Sequence, residues 1–354
     1  MSLPHLREVA LWAVEMARRL CQSPLLRRVA SAALFAWFAY QAWLTVAGVF
    51  TEWPFHLDTV GIDGRLYYRA AATWVSGGDP WTAFTTSNTW PPSSGFVHFL
   101  FTGPPPTVLA FVPFVWIPED AFVLGWLGLS VAAAVYTTRR LHLPLWWVLF
   151  PPLVSGLAVG NPQIVCLALL VSGSTWLQSL AAPMKAYAVF PMVGERQWRA
   201  LTVLAVGVVV SVIIFWPLWQ TYAADYSKVQ DWLVGFTGGG YSATRDPRLF
   251  AITAASIGTL LLLDYRAAFW LAVPALWPAS QYFYATFAMP LRSPWLAFLL
   301  AAAGTPNASL VPWTIVAYAG CRVVGRLVGG LGPLQPVIAD DNAPPAATQR
   351  TRAD

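Results

Sequence analysis

Asp63 opens the polar stretch Asp63-Gly-Arg-Leu-Tyr-Tyr-Arg-Ala-Ala-Ala-Thr-Trp-Val-Ser-Gly-Gly-Asp-Pro80, which follows a long apolar run and a short loop. A carboxylate at such a boundary can act as a general base, taking the proton of an attacking hydroxyl. Asp also favours the position before a helix, where its side chain accepts a backbone N–H bond. The two roles are compatible, because a cap fixes the direction of the carboxylate. Asp58, in the same loop upstream, is a second candidate base, and Asp79-Pro80 reads as turn chemistry.

The cations are mostly arginines. Arg245 and Arg248 bracket Asp246-Pro247 ahead of an apolar run, Arg65 and Arg69 stand on one helical face, and Arg292 comes late. Arginine forks onto phosphate oxygens with two donors, which makes Arg248, Arg245, Arg65 and Arg292, in that order, candidates to hold an anion. The plainer alternatives are solvated loop charge for the first pair and snorkelling to the membrane surface for Arg65 and Arg69. Lys185 sits in an apolar segment, where ionisable groups are costly and tend to be functional. The segment order assigns it to the cytoplasmic face, reaching for headgroups there. Cys21, Cys166 and Cys321 and the histidines His5, His56, His98 and His142 are scattered, without metal-site spacing. There is no HExxH, no Gly-rich phosphate loop and no paired DxD, so no cofactor is indicated and a divalent metal is optional.

These groups need a scaffold, and composition says which kind. The chain of 354 residues is 57% hydrophobic and 10% charged, with 20 Trp, 20 Phe and 29 Pro. A soluble domain carries about 25% charged residues, so this chain lacks the polar surface to cover itself in water. It reads as an all-α polytopic membrane protein. The net charge of +5 suits anchoring to anionic lipid and does not point to nucleic acid.

Residues 1–28 read as a cytoplasmic interfacial helix, with Leu3, Leu6, Val9, Ala13, Met16 and Leu20 on one face. Val29 to Phe50 is long enough to span at roughly 20 residues per crossing. Arg7, Arg18, Arg19, Arg27 and Arg28 before it keep the N-terminus cytoplasmic, and no cleavable signal is expected. Residues 51–105 then form an external loop holding a short helix, about 65–75, started by Asp63-Gly64 and lying flat on the membrane. Residues 107–117 read as a re-entrant half-helix, and Ala121 to Val135 as a span ending at Arg139-Arg140. Leu143 to Val159 and Ile164 to Leu180 read as two spans joined by the Gly160-Asn-Pro-Gln163 turn. Ala181 to Val193 is a half-length segment, Leu201 to Trp219 a span, 220–247 a second external loop, and Leu249 to Leu263 and 267–280 two more spans. The transmembrane region runs over 29–332, as a bundle of about nine or ten spans with interfacial helices and re-entrant segments. Residues 333–354 are Pro/Ala/Asp-rich and read as disordered. Asn307-Ala-Ser309 matches a glycosylation sequon.

The order of several loose motifs carries a resemblance. Asp63, Tyr67, Tyr68, Ala70, Ala71 and Gly78-Asp79-Pro80 follow the first span; Pro104-Pro105 precede a half-helix; Gly160, Asn161 and Gln163 make a turn; Lys185, Phe190 and Pro191 lead into Arg196-Gln-Trp-Arg199. Over roughly residues 30–290 this resembles the GT-C superfamily of membrane glycosyltransferases, in the branch with actinobacterial polyprenyl-phosphate-mannose-dependent mannosyltransferases and arabinofuranosyltransferases. The chain departs from the pattern at Gly160-Asn-Pro-Gln163, where Gly-Gln-x-Asn is common, and in Trp277-Pro-Ala-Ser-Gln-Tyr-Phe-Tyr284, which lacks a His.

The resemblance implies a plasma-membrane enzyme with an external site and Asp63 as base. Its donor would be a sugar, mannose or a pentose, on a polyprenyl monophosphate, and its acceptor a hydroxyl of a glycolipid or polysaccharide, with inversion. Sugar and acceptor contacts would fall on Tyr67, Tyr68, Asn161, Gln163, Gln281, Tyr282 and Tyr284. Elementary chemistry agrees: inverting transfer needs one base, and an anionic leaving group needs positive charge rather than an acid. The competing class is a flippase or transporter of lipid-linked sugars, which would place ionisable groups near the bilayer midplane.

Overall fold

The computed structural model describes residues 23–50, 60–82, 84–86, 97–237, 241–278, 280–303 and 309–327. The N-terminal interfacial helix, Asp58, the sequon asparagine and the C-terminal tail lie outside the described residues.

Helix α1, Pro24–Phe50, begins earlier than the apolar run because Ser23 and Pro24 form a good helix start, so residues 24–28 join it. Its segment Pro24–Ala47 is long and apolar enough to cross a membrane. Helix α2, Ile62–Val75, is the expected short helix. Its Gly64, Tyr67, Tyr68, Ala70 and Ala71 are buried against other elements. Strands β1, Phe84–Thr86, and β2, Val97–Phe99, form one short antiparallel pair with Thr85 opposite His98, in a fold that is otherwise helical as expected. Helix α3, Pro105–Phe111, and the 3-10 turn Val112–Phe114 are the expected half-helix.

Helix α4, Glu119–Arg140, is the second helix fit to span. Glu119 and Asp120 in its first turn and Arg139 and Arg140 in its last both suit the helix dipole. The two ends of α4 serve below to name the two ends of the bundle.

The next segments correct the expected hairpin of spans. A 3-10 turn, Leu145–Leu149, leads to α5, Pro151–Val159, and then α6, Gln163–Val171. The latter two have nine residues each, about 14 Å of helix, under half of a roughly 30 Å hydrocarbon core. Ser172-Gly173-Ser174 stops α6, with Gly173 left-handed at φ 78°. Short helices α7, Thr175–Ser179, and α8, Ala181–Met184, turn the chain back to Lys185, and α9, Val189–Gly194, returns to the Arg140 end. There the Gln197 amide donates to Leu170 O at 3.3 Å.

Helix α10, Trp198–Ile214, rises from that end, and α11, Trp216–Thr237, continues it after a 96° bend. Much of the expected second loop is therefore helix. Helices α12, Pro247–Leu263, and α13, Tyr265–Leu276, pack as neighbours. A 3-10 helix of ten residues, Tyr282–Leu291, precedes α14, Pro294–Ala302, and α15, Leu310–Leu327. Among the described residues two helices are apolar and long enough to span, or three if the bent α10–α11 pair counts as one. The expected nine or ten long spans are replaced largely by broken and shorter segments.

Candidate functional site

The Gly160 turn is where the site is assembled. Helix α5 ends in a Schellman motif: Asn161 N donates to Gly156 O at 3.0 Å, Gly160 N donates to Leu157 O at 3.1 Å, and Gly160 is left-handed at φ 65°. A Cβ on Gly160 would stand 2.9 Å from Gly61 Cα, and Gly61 N donates to Ala158 O at 3.0 Å. Two glycines thus let the start of α2 lie directly on the α5–α6 turn. Gly64 packs against Trp126, whose indole N–H donates to Gly160 O at 2.9 Å.

This contact brings Asp63 to Asn161. Asn161 Oδ1 accepts from Gln163 N at 3.0 Å, so the other end of its amide faces outward and Nδ2 donates to Asp63 Oδ2 at 2.6 Å. The direction of the amide is fixed by the turn it closes. Asp63 is not the cap of α2: Gly61 occupies that position, and Asp63 stands in the first turn with its carboxylate directed to Asn161. The capping alternative is replaced by a side-chain partner from across the fold.

Lys185 completes the group and corrects its expected placement. It lies at the break between α8 and the 3-10 turn Ala186–Ala188. Its Nζ is 5.1 Å from the Tyr67 ring centroid and 5.8 Å from that of Tyr284, close enough to pull on the Asp63 carboxyl. Tyr67 lies one turn beyond Asp63 on the same face of α2, and Tyr284 packs at a 55° tilt against Tyr187 with centroids 4.8 Å apart.

Withdrawal from water pushes the Asp63 carboxyl above the usual carboxylate range, while the Lys185 charge and the Asn161 hydrogen bond pull part of the way back. Burial, and then the charge of Asp63, raise the Tyr67 phenol well above its ordinary value, so it stays a neutral hydroxyl. Asp63 is set deep among neighbouring groups, and both it and Lys185 keep part of their surface accessible. A raised carboxylate beside an amine and phenol rings can take a proton from a hydroxyl and hold an anion nearby.

Of the other expected contact residues, Gln163 is buried below this group, its amide donating to Phe283 O and Thr286 Oγ1, where it pins the 3-10 helix. Tyr68 points away, its hydroxyl donating to Ile117 O at 2.7 Å, and Tyr282 donates to Ala301 O at 2.9 Å. Gln281 stands at the start of the 3-10 helix, partly buried.

The arginines do not converge on Asp63. Arg65 is ion-paired to Glu119 at 3.0 Å and Asp120 at 2.9 Å, and Arg69 also binds Glu119. Arg245 donates to Ser309 Oγ at 2.9 Å, and Arg248 is exposed at the start of α12. Asp246 between them caps α12 through the Arg248 and Leu249 amides, which holds its carboxyl below the usual range. Arg292 lies at the Arg140 end, lining a cavity with Arg140, Glu195 and Arg266, not with the first-loop residues. Asp79 makes the expected turn, accepting from Trp81 N at 2.8 Å. Among the described residues no three His, Cys, Asp or Glu side chains gather as a metal site.

No protein-family model, curated protein or solved structure matches the chain.

Proposed function

We propose that the protein is a membrane glycosyltransferase that moves a sugar from a polyprenyl monophosphate to a hydroxyl acceptor, with Asp63 as general base. The observation that carries this reading is the Asp63–Asn161–Lys185 group. It offers one carboxylate, aimed by an amide, with a cation and ring faces beside it. In the proposed step the acceptor O–H gives its proton to Asp63 as its oxygen bonds to the anomeric carbon. The bond from that carbon to the phosphate oxygen breaks, and its electron pair leaves with the lipid phosphate. The configuration inverts. Lys185 takes the role first assigned to the arginines, balancing charge on the departing phosphate. Tyr67 and Tyr284 supply faces and hydroxyls for a sugar.

Charge supports the orientation. Arg139, Arg140, Arg196, Arg199, Arg266 and Arg322 gather toward the Arg140 end with only Glu195 and Asp264 opposing them, whereas at the other end Arg65, Arg69, Lys228, Arg245 and Arg248 are balanced by Glu119, Asp120, Asp225, Asp231 and Asp246. On the positive-inside rule the Arg140 end is the cytoplasmic one in this reading, and the Asp63 group faces the outside of a plasma membrane.

A second reading has its own support. Asp63 and Lys185 meet in the interior, and Lys185 sits at a helix break, which also suits a transporter of lipid-linked sugars. Proteoliposomes holding the purified protein, a polyprenyl-phosphate-linked sugar and hydroxyl acceptors separate the two. The enzyme reading expects a new glycosidic bond of inverted configuration and free lipid phosphate. Movement of donor between leaflets without any bond formed would replace it with transport.

A further inference from the structure

At the end of the bundle opposite Asp63 lies a cavity of about 310 Å³, lined among others by Arg140, His142, Gln178, Arg266, Trp270 and Arg292. It would hold roughly ten waters at liquid density. Four chain reversals meet around it. Helix α4 ends in a Schellman motif with His142 at φ 52°, α9 ends in one with Arg196 at φ 55°, and the long 3-10 helix ends on Arg292 at φ 50°. Gly173 at φ 78° ends α6. These three are the only non-glycine residues with positive φ among those described, and such positions normally hold Gly or Asn. Of the three, His142 and Arg292 line the cavity, two basic residues held there in a costly backbone conformation.

Cations near helix C-termini are ordinary, since they offset the dipole. The hydrogen bonding here goes further. Arg140 donates through Nε to Val171 O at 3.1 Å, and Arg266 donates through Nε to Glu195 Oε1 at 2.6 Å. Trp270 Nε1 donates to the same oxygen at 2.7 Å, which holds Glu195 in place. Each guanidinium is therefore anchored by its inner nitrogen. Among the described residues, neither hydrogen-bonds anything through its two terminal nitrogens, the edge that forks onto phosphate. Gly173 keeps room for one of them: a Cβ there would stand 2.9 Å from Arg140 Nη2. Trp176 and Trp198, close along the chain to the lining residues Gln178 and Gln197, are 71% and 57% exposed, as aromatic residues are at the membrane–water boundary.

We infer that this cavity binds a phosphate group, through Arg140 and Arg266, at the end of the molecule opposite the Asp63 group. The phosphate is either the headgroup of an anionic phospholipid entering past Trp176 and Trp198 or a free phosphate. The site is independent of the proposed sugar transfer, and its test needs no turnover.

The test uses the full chain in nanodiscs of neutral phosphatidylcholine. Phosphatidic acid is added in one arm and inorganic phosphate in the other. In the wild-type protein, modification of Arg140 and Arg266 by phenylglyoxal is followed by peptide mass spectrometry, with exposed Arg139 as internal reference. Bound phosphate is expected to slow modification of Arg140 and Arg266 at least about tenfold relative to Arg139, the scale of one charge-assisted pair. Protection by the lipid alone names the headgroup as source; protection by inorganic phosphate names the free ion. Arg140→Gln with Arg266→Gln should abolish one tightly held phosphatidic acid in native mass spectrometry, while Arg139→Gln keeps it. Equal modification of all three arginines in both arms would overturn the inference, whatever the fate of the variants.

Discussion

At Asp63 two demands conflict. Its carboxyl is raised because burial disfavours the charged form, so the folded state holds the proton more tightly than the unfolded chain does. The sign follows: above the folded value Asp63 weakens folding, and the penalty is relieved as pH falls through it. Asp63→Asn should therefore unfold at an equal or higher temperature than wild type at pH 7, measured by thermal denaturation in detergent. A marked loss of stability would mean that the charge itself holds α2 in place. The same shift sets the rate profile. A base works when deprotonated, so the acid limb of kcat/KM should lie above the ordinary carboxylate range near 4. Lys185 pulls the carboxyl down, so Lys185→Met should move that limb to still higher pH; an unmoved limb would separate the lysine from the base. The base candidate was legible from its place after the first apolar run, but its partner was not. Asn161 is 98 positions away, and only the packing of Gly61 on Gly160 brings the two together.

At the scale of elements, the α5–α6 turn positions the site, and glycine makes it possible. Gly160→Ala would force an L-residue into φ 65° and set its Cβ 2.9 Å from Gly61 Cα. A left-handed backbone alone costs roughly 1–2 kcal/mol and overpacking adds about as much, so stability and transfer should fall together. Gly125→Ala on α4, with nothing within 4 Å of the added carbon, is the control and should change stability by no more than about 1 kcal/mol. Equal effects at both glycines would remove the turn from the account. Helix breaks also explain where sequence reading stopped. Lys185 stands out as an ionisable group in an apolar segment, yet it falls on the wrong face if Ile164 to Leu180 is taken as one span. Ser172-Gly173-Ser174 ends α6 early, and the chain doubles back. Long uniform helices such as α4 are readable from length and hydropathy; half-length helices satisfied by neighbours are not, because apolar runs look alike whether or not they cross. Arg65 was misread for a related reason, since Glu119 and Asp120 are far along the chain.

For the whole molecule, the charge distribution and the Asp63 group distinguish two ends of the bundle. In a cysteine-free background, Ser76→Cys should react with an impermeant maleimide added to intact cells, and Arg199→Cys only after permeabilisation. The reverse pattern would invert the orientation and put the Asp63 group out of reach of external acceptors. The two ends also separate the proposed chemistry from the proposed phosphate cavity, so each can fail alone. The most direct measurement of the central claim is sugar transfer from a polyprenyl-phosphate donor by purified wild-type protein and by Asp63→Asn, with donor binding measured on both. Asn keeps the size and the acceptor for Asn161 but cannot take the proton. The account predicts unchanged donor binding and a loss of transfer of roughly two to four orders of magnitude, the usual contribution of a general base. Transfer by Asp63→Asn at the wild-type rate would contradict it.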